Sequence, residues 1–236
     1  LVRSRGLGDV YKRQVWHGAE VDVLEADPVA AAAVARERPE ELDLADVVGQ
    51  ENAVRALIVA AAGGHHMMLS GPPGAGKTML ARRLPGILPS LTEDEALEVA
   101  SIRSLTGDSV QALDVMPPLE SPHHSASVAA LVGGGTRSVR PGAISRAHRG
   151  VLFLDEAAEF SRVALDAMRQ PLESGVIEVS RAGITALFPA RFQLIVALNP
   201  CPCGNYGVRG AECVCPSLAI RRYSTRLSGP LRDRIC

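Results

Sequence analysis

The sequence predicts an α/β fold in which helices cover both faces of a parallel sheet, giving three layers, α/β/α. Two observations are local: a glycine-rich loop over 71–78 lies between a strand-like and a helix-like segment, and an apolar run over 150–154 ends in two acidic residues. The third is the repeated alternation of strand-like and helix-like segments, which is typical of parallel sheets. We also expect a β-hairpin before the last core strand and an insertion before the apolar run.

Length and composition favour one sizeable hydrophobic core, or one core with a small appendage. The chain has 236 residues, of which 47% are hydrophobic. Its 25 basic and 26 acidic residues nearly balance, so any nucleic-acid binding must come from local arginine clusters. The longest apolar stretch, around 53–62, contains Arg55 and is too short to span a bilayer, and no secretory signal is visible. We therefore expect no membrane segment. The five cysteines favour a reducing compartment, and we expect a cytoplasmic location.

The two ends of the chain do not look like parts of a folded domain. Residues 1–14 have no apolar periodicity and resemble a translated adapter, so we predict a non-native scar there. Residues 15–45 are expected to be the tail of an upstream domain and a linker. The α/β domain is expected over 46–236. Because the chain stops at Cys236 directly after an arginine-rich segment, we expect a fragment of a longer protein.

The first half of the predicted domain contains a helix, a strand and a second helix, in that order. Apolar residues recur at helical spacing over 51–62. An apolar run over 66–70 predicts a strand that enters the glycine-rich loop. Residues 79–84 predict a helix that leaves this loop, and Pro85 stops it.

A capping box marks the start of the next helix. Thr92 and Glu95 are spaced so that each can satisfy the other's free backbone N–H, and the helix is predicted to run to about Arg103. The following region, 104–149, is rich in Gly, Pro, Ser and His and has no strong periodicity. It is too long for a plain loop in a compact domain, so we expect an insertion with some structure of its own.

The second half begins with the apolar run over 150–154. Its continuous hydrophobicity predicts a central strand that is buried on both faces. Ser161 is predicted to cap a helix that Pro171 bends. Another apolar run, over 192–198, predicts the last core strand.

The glycine-rich loop has the GxxxxGK[ST] pattern of a P-loop, whose backbone N–H groups wrap the phosphates of a nucleotide. Lys77 is one of only two lysines in a chain that otherwise uses arginine, which favours a need for a compact ammonium group. It is expected to contact the β and γ phosphates of ATP, and Thr78 to bind Mg²⁺. The alternative is a Gly/Pro turn before a helix. The predicted nucleotide-binding residues of the loop are Gly71, Pro72, Pro73, Gly74, Ala75, Gly76, Lys77 and Thr78.

Polar residues follow two of the predicted core strands. Asp155 is placed to hold Mg²⁺ and Glu156 to orient and deprotonate an attacking water, although paired acids at a strand end can also be a turn signal. Asn199 follows the last core strand, where its amide could position that water; a strand-terminating Asn-Pro turn is the alternative. Val48 and Gly49 precede the first helix at the distance where such enzymes hold adenine.

The order of the motifs resembles that of the AAA+ ATPases of the magnesium-chelatase-like group, and within it the ComM/YifB family. The motifs that carry the resemblance are, in chain order, DVVGQ, GPPGAGKT, VLFLDE, ALNP and SGPLRDRI. The resemblance implies hexameric rings, a homo-oligomer that uses ATP and Mg²⁺ and hydrolyses ATP between subunits. For ComM-like proteins it also implies DNA binding and branch migration, a helicase activity, during the recombination of incoming DNA.

The resemblance also implies roles by position. Lys77 and Thr78 would belong to the Walker A motif. Asp155 and Glu156 would form Walker B, and Asn199 would be sensor 1. The acids are followed by two alanines where Leu-Pro is more usual in the family, a change that leaves both carboxylates in place.

A further implied role concerns Arg234, which matches the arginine finger that one subunit offers to its neighbour's nucleotide. An arginine acting in this way can raise the rate of phosphoryl transfer by roughly 10³ to 10⁵. The alternative is a solvated surface charge, since several arginines crowd around it. Family members usually carry an amino-terminal Lon-like domain and continue into a helical lid, so we expect the 46–236 core to be truncated before its lid.

Four of the five cysteines occur as two close pairs. Cys201 and Cys203 precede a polar, glycine-containing loop, and Cys213 and Cys215 follow it. Four sulfurs at such positions could hold one tetrahedral structural Zn²⁺. The C-x-C spacing is tighter than the usual C-x₂-C, so free thiols clustered in a loop and a disulfide remain as alternatives.

A β-hairpin is predicted over 175–195, turning at 182–183. Arg181 lies near its tip and Arg191 at its far end. In related ring helicases a hairpin here points toward the channel, where arginine can contact phosphates without reading sequence. The alternative is a solvent-exposed turn with incidental charge.

Two rival functions stay open beside an ATP-driven motor on DNA. One is a magnesium-chelatase-type motor subunit, in which the same nucleotide site drives metal insertion into a porphyrin. The other is a regulatory nucleotide-binding module, whose bound ATP organises an assembly without turnover.

Overall fold

The computed structural model describes residues 42–106, 113–135, 139–181 and 184–235. The predicted scar over 1–14, most of the predicted tail over 15–45 and the terminal Cys236 lie outside the described residues. The strands are β1 (Met67–Ser70), β2 (Leu119–Glu120), β3 (Gly133–Gly134), β4 (Arg140–Pro141), β5 (Val151–Leu154), β6 (Val176–Arg181), β7 (Ile184–Pro189) and β8 (Gln193–Leu198). The α-helices are α1 (Glu51–Gly63), α2 (Lys77–Arg83), α3 (Glu93–Thr106), α4 (Val128–Val132), α5 (Ala143–Arg146), α6 (Arg162–Ala167), α7 (Arg169–Ser174), α8 (Ser217–Ser224) and α9 (Gly229–Arg232).

The central sheet has four parallel strands in the order β1-β8-β5-β2. Met67 of β1 pairs with Ile195 of β8, and Phe153 of β5 pairs with the same Ile195 from the other side. Leu119 of β2 pairs with Val151. Because all the pairs are parallel, the carboxyl ends of β1, β5 and β8 meet at one edge of the sheet.

Alternate residues of β5 and β8 face two different hydrophobic clusters. The cluster on one face contains Leu152, Leu154, Leu194 and Val196, and the cluster on the other contains Val151, Phe153, Ile195 and Ala197. Leu57 of α1 and Leu80 of α2 pack into the second cluster, whereas Leu165 of α6 packs into the first. Helices therefore cover both faces, and the predicted three-layer α/β/α fold with a parallel sheet is confirmed.

The insertion before β5 is structured in its described parts, as predicted. It holds β2, the short helices α4 and α5, and the antiparallel pair β3 and β4. A side chain at Gly142 would lie 2.2 Å from the Leu131 carbonyl oxygen, so only glycine allows the two backbones to approach this closely. The sequence did not indicate β2, which extends the central sheet by one strand.

The helix predicted after Ser161 is two helices. Ser161 caps α6 by accepting a hydrogen bond from the Ala164 N–H at 3.2 Å. The helix ends at Ala167, four residues before Pro171, at which the bend was predicted. The reason is that a proline ring clashes with the carbonyl four residues earlier, which here belongs to Ala167.

The β-hairpin is present as β6 and β7, which pair from Val176 with Pro189 to Arg181 with Ile184. Its predicted turn at 182–183 lies outside the described residues. Ile177, Val179 and Phe188 anchor one side of the hairpin in the core, whereas Leu187 on the other side is 68% exposed. In the described ranges, no helix has the length and apolar character needed to cross a bilayer.

Candidate functional site

The loop from Gly71 to Gly76 joins β1 to α2 at the carboxyl edge of the sheet. Gly74 and Gly76 have φ angles of +77° and +75°, a conformation that glycine adopts without strain. No side chain caps α2 at Gly76, so the first backbone N–H groups of the helix have no partner within the helix. The loop can therefore offer several N–H donors to an anion.

The Lys77 ammonium group lies over this loop. Its Nζ donates hydrogen bonds to the carbonyl oxygens of Gly71 at 2.7 Å and Pro72 at 2.9 Å, and to Asn199 Oδ1 at 3.1 Å. Burial lowers the pKa of Lys77, while the nearby carboxylates of Asp155 and Glu156 oppose this shift. The structure thus brings three predicted site residues of different elements, Lys77, Asn199 and Asp155, to one place.

Thr78 and Asp155 form a pair of hard oxygen donors. The Thr78 hydroxyl donates a 2.6 Å hydrogen bond to Asp155 Oδ2. Mg²⁺ prefers hydroxyl, carboxylate and water oxygens in an octahedral arrangement. The residues therefore fit a magnesium ion held beside the loop.

Glu156 has a left-handed backbone, with φ +48° and ψ +44°. The left-handed conformation destabilises a residue that has a side chain by about 1 kcal/mol. Residues in this conformation cluster at functional sites. The Glu156 N–H donates to Asp155 Oδ1 at 2.9 Å, which stabilises the turn. The conformation leaves the carboxylate largely exposed at the mouth of the site.

His124 is a site residue that the sequence did not indicate. Its Nδ1 lies 3.4 Å from Glu156 Oε2, although it belongs to the insertion, 32 positions earlier by residue number. The neighbouring His123 instead contacts the Ser125 hydroxyl at 2.7 Å. The pair of histidines in the sequence was the available signal, but nothing in the sequence linked it to Glu156.

Asn199 is held from both sides. Its side chain meets Lys77, and its backbone hydrogen-bonds the buried hydroxyl of Tyr223 in α8. Burial raises the pKa of Tyr223, so the phenol stays neutral. This arrangement fixes the amide beside the loop. Tyr223 was not predicted from the sequence.

The segment before α1 contributes one unpredicted contact. Gln50, with φ +56°, donates from Nε2 to the carbonyl oxygen of Ala75 at 2.5 Å and so ties α1 to the loop. Val48 is 96% exposed and Gly49 has φ +77°. The two residues predicted to hold adenine thus lie in an exposed loop next to Gln50.

Arg234 has different partners from the other predicted site residues. Its Nη1 donates to the Pro230 carbonyl oxygen at 2.6 Å, and its Nη2 pairs with the Glu173 carboxylate. A different arginine reaches the acidic turn: Arg226 Nη1 donates to the Ala158 carbonyl oxygen at 2.6 Å. The partners described for Arg234 are therefore Pro230 and Glu173, and not residues of the site around Lys77.

The four cysteines converge next to the loop. The sulfur atoms of Cys201, Cys203, Cys213 and Cys215 all lie within 4.8 Å of one another, and Cys201 is buried. Hydrogen bonds from the Asn205 backbone and from Cys201 lower the pKa of Cys203 to about 6.

Comparisons with known proteins identify the family of the chain. A sequence model of the family described as "Magnesium chelatase, subunit ChlI" matches residues 43–236. The competence protein ComM of Haemophilus influenzae is 50% identical over 222 residues, which are 94% of this chain and 43% of that protein. The protein YifB of Escherichia coli K12 is 53% identical over 193 residues, 81% of this chain and 38% of its own length.

A solved structure shares the fold. A complex of the magnesium chelatase subunits BchI and BchD, interpreted from a cryo-EM reconstruction, superposes with a TM-score of 0.53 at 24% identity. The match covers 78% of this chain and 59% of that one. The chain spans about two fifths of the length of the curated relatives, as the values of 43% and 38% show.

Proposed function

The chain belongs to the magnesium chelatase, subunit ChlI, family, with ComM and YifB among its relatives, and we propose that it is an ATP-hydrolysing AAA+ motor that acts on DNA. A nucleotide-binding AAA+ fold is the part that family and structure share. The residues over 46–236 would form the ATPase core. We propose four further properties in addition to this fold. They are ATP hydrolysis, action on DNA, assembly into a hexameric ring and a cytoplasmic location.

One observation carries the ATPase part of the proposal: Lys77, Asn199 and the Thr78–Asp155 pair meet at the carboxyl edge of the sheet. The Lys77 ammonium would leave the carbonyl oxygens of Gly71 and Pro72 and contact the β and γ phosphates. Backbone N–H groups of the loop would bind the same phosphates. This set binds and orients a triphosphate.

Hydrolysis needs a base and a water position. Glu156 extends from the end of β5 and would accept the proton of the attacking water, while the Asn199 amide would orient that water. Thr78 and Asp155 would hold Mg²⁺, directly or through its water shell. When bound, the ion neutralises charge on the phosphate oxygens.

Two variants test the ATPase part. Lys77→Ala should abolish nucleotide binding, measured with a fluorescent ATP analogue, whereas Arg82→Ala at the exposed end of α2 serves as the matched control. Glu156→Gln should bind the analogue normally but lose at least about a hundredfold in turnover, in line with the usual size of general-base catalysis. Equal turnover by Lys77→Ala and the unmodified chain would contradict the proposal.

The DNA part is supported by two facts. A relative at 50% identity is a competence protein, and Arg181 is the last residue of β6, next to the predicted turn of the β6–β7 hairpin. Arginine at a hairpin tip can contact phosphates irrespective of base sequence. We expect DNA to stimulate ATP turnover, and Arg181→Ala to reduce this stimulation and the salt dependence of DNA binding. Arg162→Ala, which removes an exposed arginine of α6, is the control.

Magnesium chelatase activity is the second candidate, because the matching family is described by that subunit. The two motors differ in what raises their ATPase rate. Stimulation by DNA and not by a porphyrin together with its partner subunits supports the first. The variant Glu156→Gln distinguishes a motor from a regulatory nucleotide-binding module. It would leave the function of a module intact but would arrest a motor with ATP bound.

A further inference from the structure

The sulfur atoms of the four-cysteine loop have the spacing of a metal site. Cys201 Sγ lies 3.3 Å from Cys203 Sγ and 3.7 Å from Cys213 Sγ, and the last two sulfurs are 3.7 Å apart. Four sulfurs bound at 2.3 Å to one tetrahedral Zn²⁺ are separated from each other by about 3.8 Å. Cys215 completes the group within 4.8 Å.

Backbone N–H groups point at every sulfur. The Tyr206 N–H donates to Cys201 Sγ at 3.3 Å. Cys203 is hydrogen-bonded by the Asn205 backbone, Cys213 by the Cys215 backbone, and Cys215 by the Cys203 backbone. Hydrogen bonds of this kind orient the sulfur atoms toward a shared ion, which is what the second shell of a metal site does.

The same geometry disfavours a disulfide. A disulfide joins two sulfurs and leaves the others without a role, whereas here all four converge on one point. The loop between the pairs turns at Gly204, Gly207 and Gly210, which have φ angles of +82°, +73° and +82°. Such turns fold the second pair back onto the first.

The cysteine loop also touches the nucleotide loop. Gly204 is buried, and a side chain built there would lie 2.4 Å from Pro73 Cδ. Cys201 follows Asn199 by two positions in the sequence, and α8, which carries the Tyr223 partner of Asn199, begins at Ser217, shortly after Cys215. An ion bound to the cysteines would thus fix both ends of the 201–215 segment. This segment lies between Asn199 and α8 and contacts Pro73 through Gly204.

We propose that the four cysteines bind one Zn²⁺ and that this ion, by holding Gly204 against Pro73, sets the affinity of the adjacent loop for nucleotide. The metal site rests on the cysteine geometry alone. Its effect on nucleotide rests on the proposed ATP binding.

The metal content of the full chain tests the first part. After purification with zinc present and removal of free metal, elemental analysis should find one zinc per chain. Cys215→Ser should lose it, Cys215→His should keep it because imidazole is also a zinc ligand, and Cys236→Ser should not change it. A folded, unmodified chain with less than about a tenth of a zinc, or a Cys215→Ser variant with a full equivalent, would overturn the site. Circular dichroism establishes that each variant is folded.

Nucleotide affinity tests the second part, with the same fluorescent analogue. Cys215→Ser should bind it several-fold more weakly than the zinc-loaded chain. Gly204→Ala should keep its zinc and still bind more weakly, because its methyl group displaces Pro73. Unchanged affinity in both variants would overturn the coupling.

The failure of the proposed function has a different signature. Lys77→Ala should retain one zinc while losing nucleotide. If the unmodified chain carries zinc but binds no nucleotide, the ATPase proposal and the coupling are wrong and the metal site stands.

Discussion

The imidazole of His124 lies 3.4 Å from the Glu156 carboxylate, so a residue of the insertion contacts the candidate general base. Both side chains are partly exposed, 34% and 53%. The contact occupies one oxygen of a carboxylate that, under the proposed function, accepts a proton from the attacking water. We predict that this contact restrains the Glu156 carboxylate.

Removing His124 should therefore release the base. We expect His124→Ala to raise the basal ATPase rate by up to about fivefold, since an exposed pair of this kind is worth at most about 1 kcal/mol. Nucleotide affinity should change less than twofold, because the ion pair described for His124 is with Glu156 and not with the Lys77 loop. Steady-state kinetics measure both quantities.

The control for this variant is His123→Ala. His123 is adjacent in sequence but contacts Ser125 instead of Glu156. An equal rise in rate for both variants would show that the effect comes from the loop as a whole. A lower rate for His124→Ala alone would mean that His124 orients the base for catalysis.

The hydroxyl of Thr78 gives a prediction about magnesium. Thr78→Ala removes one of the two hard oxygen groups that meet at 2.6 Å, so the Mg²⁺ concentration for half-maximal ATP hydrolysis should rise by about tenfold or more. Thr78→Ser keeps the oxygen and should remain close to the unmodified chain. A magnesium titration at saturating ATP measures the shift. Equal requirements in the alanine and serine variants would exclude Thr78 as a ligand.

Arg234 gives a prediction about assembly. Its guanidinium group pairs with Glu173, and under the proposed function it acts on the nucleotide of a neighbouring subunit. Arg234→Ala should lower turnover by roughly 10³ with little change in nucleotide affinity. Mixing Arg234→Ala with Lys77→Ala should restore part of the activity, because mixed assemblies contain sites with an intact loop and an intact arginine.

The control for the mixing experiment is Arg232→Ala, an exposed arginine two positions away. It should retain full activity on its own. If the mixture is no more active than its two components, Arg234 does not act across an interface between subunits.

The central sheet and the nucleotide loop could be predicted because their signals are local. The run over 150–154 is apolar throughout, and the strand it predicts fills the core on both faces. Parallel strands end at the same edge, so the meeting of Thr78 with Asp155 follows from the order of the elements. Strand β2 has only two residues and is defined by its pairing with Val151, which no periodicity can show.

The contacts between distant segments could not be predicted. His124 reaches Glu156, and Gly204 reaches Pro73, only because the insertion and the cysteine loop fold back over the edge of the sheet. Their approach depends on backbone packing over long sequence separations. A single sequence without a pattern of covarying positions contains no local signal for it.

His148 gives a prediction about pH and stability. It is 2% exposed, its Nε2 lies 3.1 Å from Glu98 Oε2, and its Nδ1 accepts a hydrogen bond from the Arg191 N–H at 3.0 Å. Because Nδ1 is an acceptor, the folded protein contains the neutral ring with its proton on Nε2. Burial lowers the pKa of His148 below its ordinary 6.5, although Glu98 opposes this shift.

The unfolded chain therefore binds a proton at His148 more readily than the folded chain does. The hydrogen bond from His148 also lowers the pKa of Glu98 below 4.5, which acts in the same direction. Both groups contribute stability that is present above the unfolded pKa and is lost as the pH falls through the folded pKa. We expect the free energy of unfolding, measured by urea denaturation, to fall as the pH is lowered from about 7 to about 5.

His148→Gln should be less stable at pH 7 and should show a weaker pH dependence, whereas His65→Gln, at an exposed position, should keep the dependence of the unmodified chain. A pH dependence that is the same in His148→Gln and in the unmodified chain would assign it to other groups.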